Sequence, residues 1–148
     1  MKSSNDDRPN SRHLEKYDSG RKKKIVRHTD LEVYKRGFNV AMAVFEASKR
    51  FPTEEKYALT DQIRRSSRSV CGNTAEGWRK RRYAASFVSK MNDAEGEAAE
   101  TQSWLHFAAE CGYLKRGEAR QLYAEYDAII AMLVNMQNHP EEWALTRR

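Results

Sequence analysis

Between residues 84 and 108, small or apolar side chains recur at alternating steps of three and four: Ala84, Phe87, Met91, Ala94, Ala98, Thr101, Leu105 and Ala108. That spacing makes a seam along a helix packed at a shallow angle against its neighbours, and it predicts a helix over about 83–111 with Gly112 as its left-handed cap. A second stripe, Ala119, Leu122, Tyr126, Ile129, Leu133 and Met136, predicts a helix over about 117–138, stopped by Pro140. Leu59, Ile63, Ser66 or Ser67, Val70 and Thr74 predict another over about 54–76, capped by Thr53 and ended by Gly77. The first helix, over about 30–50, carries two stripes. Leu31, Tyr34, Phe38, Met42 and Phe45 form one, and Val33, Gly37, Val40, Val44 and Ala47 form the other. Thr29 and Glu32 have capping-box spacing at its start, and Phe51-Pro52 closes it.

Four amphipathic helices with short connections imply antiparallel neighbours. The expected fold is all-α, an antiparallel up-down-up-down four-helix bundle over residues 29–138. Residues 1–28 lack apolar periodicity and form a basic flexible arm, and residues 139–148 form a C-terminal tail. No helix of a four-helix bundle is central, and a surface helix has one apolar face. The second stripe of the first helix therefore predicts an oligomer interface at Val33, Gly37, Val40 and Val44. Gly72 and Ala75, small residues on the outer face of the second helix, extend that expectation. So do Trp104 and Phe107, large aromatics off the seam of the third.

Charge changes the picture at two places. Residues 1–28 hold nine Lys/Arg against four Asp/Glu, whereas the rest of the chain holds eighteen against seventeen. Most of the net +6 thus belongs to the arm, densest at Arg21, Lys22, Lys23 and Lys24. Such an arm either solubilises the chain or binds nucleic acid. The second place is the end of the second helix and the turn after it, with Arg64, Arg65, Arg68, Arg79, Lys80, Arg81 and Arg82. Guanidinium groups fork onto phosphate oxygens. The helical arginines suit either phosphate or a structural pairing with acids of the third helix, such as Glu97 or Glu100. The 79–82 run favours a polyanion, and Trp78 and Tyr83 flank it as stacking aromatics or core anchors.

No catalytic constellation is legible. His13, His28, His106 and His139 form no HExxH or Glu-x-x-His pair, and Glu95, Glu97 and Glu100 come from a single helix where a dimetal bundle needs carboxylates from several. No enzyme activity, cofactor or metal is expected. Cys71 and Cys111 form no CxxC and read as buried thiols of a reducing cytoplasm. The longest apolar run, Ala128 to Val134, falls well short of the roughly 20 residues that a membrane span needs. The charged N-terminus does not resemble a signal peptide. Expected partners are further copies of the chain, nucleic acid (RNA or DNA) and, in the alternative of an oligomeric scaffold, a protein partner, with no membrane.

Phe51-Pro52, Glu55, Leu59, Gln62-Ile63-Arg64-Arg65, Asn73, Ala75-Glu76-Gly77 and Gly112-Tyr113-Leu114 occur in an order and spacing that carry a resemblance. The chain resembles the small bacterial four-helix bundle proteins of the 23S rRNA intervening-sequence family, from Leu31 to about Met136. More distantly it is similar to accessory proteins of diversity-generating retroelements. The resemblance implies an antiparallel bundle assembled as a homopentamer, no enzymatic activity, and, from the distant relatives, nucleic-acid binding. Three features depart from the family pattern: the basic arm, Gly72 and Thr74 around Asn73, and the uncharged Tyr83-Ala84-Ala85.

Overall fold

The structure, a computed structural model, describes residues 24–145. Arg21, Lys22 and Lys23 lie outside the described residues. Four helices make the fold: α1 (Glu32–Ser48), α2 (Asp61–Arg79), α3 (Ala84–Glu110) and α4 (Arg116–Asn138). A 3-10 turn at His28–Asp30 precedes α1, and another at Pro140–Glu142 follows α4. No strand occurs among the described residues.

Each helix packs on two others in the ring α1–α2–α3–α4. Side-chain contacts fix the senses. Ser48 at the end of α1 meets Arg64 early in α2, while Gly37 near its start lies against Val70 and Cys71. Arg65 meets Glu97 and Glu100, while Glu76 meets Lys90. Gln102 meets Asp127, while Asn92 meets Gln137. Arg50 pairs with Glu118, while Arg36 forks onto Glu125 at 2.8 and 3.0 Å. In each pair the later residue of one helix faces the earlier residue of the next, so all four neighbouring pairs are antiparallel.

The expected stripes of α2, α3 and α4 form the core. Ile63, Val70, Phe87, Met91, Ala94, Ala98, Tyr126, Ile129 and Leu133 are completely buried. Ala84 is exposed and Leu122 half-buried, so those two only flank it. Ser66, Ser67, Thr74 and Thr101 are buried among the core side chains. Each hydroxyl donates to a carbonyl one turn back or to a neighbouring hydroxyl, as in the 2.8 Å bond from Thr101 to Ser66. These four hydroxyls are therefore satisfied internally.

Helix α1 overturns its expected orientation. Val33, Gly37, Val40 and Val44, expected at an oligomer interface, are buried inside the subunit. Of the other stripe only Phe38 (50%) and Met42 (46%) are exposed; Leu31 is buried in the core, and Tyr34 and Phe45 are half-buried. The cause is the closeness of α1 to α2. A Cβ on Gly37 would stand 3.3 Å from Cys71 Sγ, and that spacing admits valine and glycine but not phenylalanine.

The helix ends differ from expectation as well. Neither Thr29 nor Thr53 caps a helix. The Asp30 carboxylate instead accepts the backbone N–H groups of Val26 and Arg27, which hold its pKa below the usual carboxylate range. Residues Lys56–Thr60 form a π-helical turn leading into α2. Gly77 does not end α2, which continues to Arg79; it is buried against Met91 and Lys90 of α3. Gly112 does cap α3, at φ +77°, with Tyr113 N–H donating to Ala108 O and Gly112 N–H to Ala109 O. The C-terminal tail is also attached: Trp143 packs on the core beside Leu31, Val33 and Met136, and Leu145 N–H donates to Arg81 O at 3.0 Å. Cys71 is half-buried and Cys111 exposed, so only the first matches the expectation of buried thiols. Burial pushes the Cys71 thiol up to about 11.

Candidate nucleic-acid interface

The α2–α3 turn gathers four cations in sequence, and the structure divides them. Arg81 is half-buried: its guanidinium lies 3.7 Å over the Trp78 ring and donates to the Trp78 carbonyl at 2.8 Å. Burial, and next the neighbouring Arg79, pull its pKa below the usual arginine value. Trp78 itself is buried and serves as a core anchor. Arg81 thus ties the turn to the bundle, and its backbone also receives the C-terminal tail. Arg79, Lys80 and Arg82 are exposed. Among the described residues no carboxylate lies within ion-pair distance of these three; Glu76, the nearest acid in sequence, pairs with Lys90. Tyr83 is exposed beside them.

The arginines within α2 divide too. Arg65 faces α3, pairing with Glu100 at 3.1 Å and Glu97 at 3.7 Å. This is the structural role that the sequence left open. Burial first, then Glu100, raises the pKa of Glu97, and its Oε2 has no hydrogen-bond partner. Arg64 and Arg68 face the other way, toward α1. The Arg64 Nε donates to Ser48 Oγ at 2.8 Å. Both guanidiniums lie over the Phe45 ring, at 4.9 and 5.6 Å from its centre, with Lys49 also above that ring. No carboxylate among the described residues pairs with either. Arg64, Arg65, Arg68 and Gly72 line an open furrow of about 730 Å³, with Asp61 at one end. Gly72 is exposed, with nothing within 4 Å of where a Cβ would stand, and Ala75 is half-buried. Lys24, the last residue of the arm's basic run, is exposed.

Trp104 and Phe107 lie elsewhere, where the end of α3 meets the start of α2. Phe107 is 59% exposed and Trp104 half-buried, their rings 6.0 Å apart. With Ala58, Leu59 and Cys111 they line a groove of about 270 Å³, and the Trp104 indole N–H is buried without an acceptor. One grouping was not anticipated from the sequence. His139, Glu141 and Glu142, all exposed, bring donor atoms within 4.8 Å of one another. Their close sequence spacing was the available signal. No helix among the described residues is long and apolar enough to cross a membrane.

Comparison with known proteins supports the fold. A family model described as "23S rRNA-intervening sequence protein" matches residues 29–135. A crystal structure from Bacteroides thetaiotaomicron VPI-5482, described as a protein with unknown function from the S23 ribosomal protein family, is similar with a TM-score of 0.65 at 25% identity. The likeness covers 72% of this chain and 95% of that one. No curated protein matches the chain.

Proposed function

The chain belongs to the 23S rRNA-intervening sequence protein family, and from that premise we propose that it is a non-enzymatic, homo-oligomeric bundle binding RNA or DNA without sequence preference. The observation that carries this reading is the set of exposed, unpaired cations Arg79, Lys80 and Arg82 on a turn held in place by Arg81 and Trp78. Cations already neutralised by carboxylates release no counterions from a nucleic acid, whereas these three do. Side chains on a fixed turn also lose less freedom on binding than those of a loose arm. In an oligomer, repeated copies of the patch act together on one polymer.

Fluorescence anisotropy with a labelled oligonucleotide tests the reading. Binding weakens steeply between about 50 and 200 mM salt, and the combined change Arg79→Ala, Lys80→Ala and Arg82→Ala lowers the salt slope by about two units, near 0.7 per lost single-strand phosphate contact. Absence of binding by the unaltered protein at low salt defeats the proposal.

A second reading, an oligomeric scaffold for a protein partner, draws support from Arg65, whose guanidinium is committed to Glu97 and Glu100. Under that reading oligonucleotide leaves the assembly unchanged, and the loss of Arg65 weakens the α2–α3 contact.

A further inference from the structure

On α2, Arg64, Arg68, Ala75 and Arg79 fall on one outer stripe at helical spacing. It runs about 22 Å from Arg64 to Arg79, at about 1.5 Å per residue. The stripe borders α1, because Arg64 reaches Ser48 and Cys71 donates to the Tyr34 carbonyl. On the α1 side of the same border lie Phe45, beneath Arg64 and Arg68, and two to three turns away the stacked pair Phe38 and Tyr34, ring centres 6.4 Å apart at 18°. A row of guanidiniums therefore runs beside a row of aromatic side chains, of which Phe38 is the exposed one; Tyr34 is half-buried in edge contact with His28, and Phe45 is covered by cations. Between the arginines the α2 surface is lined by the small residues Gly72 and Ala75, which let a polymer approach the helix.

We infer that this α1–α2 border is a track for a single-stranded nucleic acid: phosphates lie on Arg64, Arg68 and Arg79, and a base stacks on Phe38. The inference rests on the nucleic-acid reading above and sharpens it, since it names the strand state and the path. Charge complementarity selects this occupant. Arg64, Arg68 and Arg79 meet no carboxylate among the described residues, so the strip as a whole calls for a polyanion. The exposed ring of Phe38 in turn calls for a flat apolar surface beside that polyanion. A single strand offers both at a spacing set by its own backbone. A duplex keeps its bases stacked inside and offers only the phosphates.

The test compares a labelled oligothymidylate with a duplex of equal phosphate number, using the full chain and two variants whose fold is checked by circular dichroism. The unaltered protein binds the single strand more tightly than the duplex. Phe38→Ala weakens single-strand binding about five-fold or more, the low end for one base stack, with no change in salt slope or in duplex binding. Arg64→Ala combined with Arg68→Ala lowers the single-strand salt slope by about 1.4. Equal binding of strand and duplex, with Phe38→Ala silent, overturns the track while leaving the nucleic-acid reading intact. No binding of either probe defeats both. Loss of oligomeric mass in Phe38→Ala by light scattering, without loss of affinity, assigns the face to a second copy of the chain and overturns the track.

Discussion

Arg81 and Arg82 are adjacent and chemically identical, yet their surroundings separate them. Arg81 covers Trp78, donates to its carbonyl and carries the tail on its own carbonyl. Arg82 is exposed and pairs with no acid among the described residues. A half-buried cation–π contact contributes about 1 kcal/mol and a side-chain hydrogen bond about 1 more. Arg81→Ala should therefore lower stability by about 2 kcal/mol in a urea melt, whereas Arg82→Ala should shift it by less than about 0.5 kcal/mol. Their effects on oligonucleotide affinity run in the opposite order when both variants are measured folded. The sequence shows the Trp-x-x-Arg spacing of this pair, but not that α2 continues far enough for the ring and the guanidinium to meet. That extension follows from Gly77, which is tolerated inside the helix by its contact with α3.

At the scale of elements, the seams of α2, α3 and α4 were legible because each of these helices has a single apolar stripe. Periodicity then leaves one way to face the core. Helix α1 has two stripes, and periodicity cannot rank them. The deciding quantity is the distance between helices, set by small side chains at the crossing: Gly37 against Cys71 in α1–α2, and Gly77 against Met91 in α2–α3. Residues on a second helix thus chose the face of the first. The same property can be measured. A methyl group on Gly77 would overlap Met91 Cε and stand 3.1 Å from Lys90 Cβ. Met91 is fully buried, so its flexible end has little room to yield. Gly77→Ala gains helix propensity of up to about 1 kcal/mol but incurs overpacking of about 1–3 kcal/mol. A net loss of about 1 kcal/mol in a urea melt is expected. Gly72→Ala, with nothing within 4 Å, should instead be stabilising. A gain at both positions would mean that α2 and α3 are not pressed together at Gly77.

For the whole molecule, the arrangement of charge and apolar surface separates two faces. The unpaired cations occupy the α1 side of α2 and the turn after it, while the Trp104–Phe107 groove lies on the α3 side of the start of α2, beside Leu59; Gln62 lines both the groove and the arginine furrow. Composition revealed the excess of basic residues. It could not reveal which of them are already neutralised, because Arg65, Arg36 and Arg50 find their acids on other helices, far away in sequence. Because Phe107 stands on α3 and the unpaired arginines lean toward α1, assembly and nucleic-acid binding can be varied by different residues. Phe107 is exposed, so replacing it alters surface contacts with little effect on the core. If subunits meet through this groove, Phe107→Glu places a charge in an apolar contact and drives the oligomer toward monomer, seen as a fall in mass by light scattering. The bound phosphates then lose their multivalent connection. Affinity for a long single strand spanning several subunits should drop by about 10²-fold or more, while affinity for an oligonucleotide that reaches only one subunit stays unchanged. A monomer that binds the long strand as tightly as the unaltered protein would show that each subunit acts alone on the polymer.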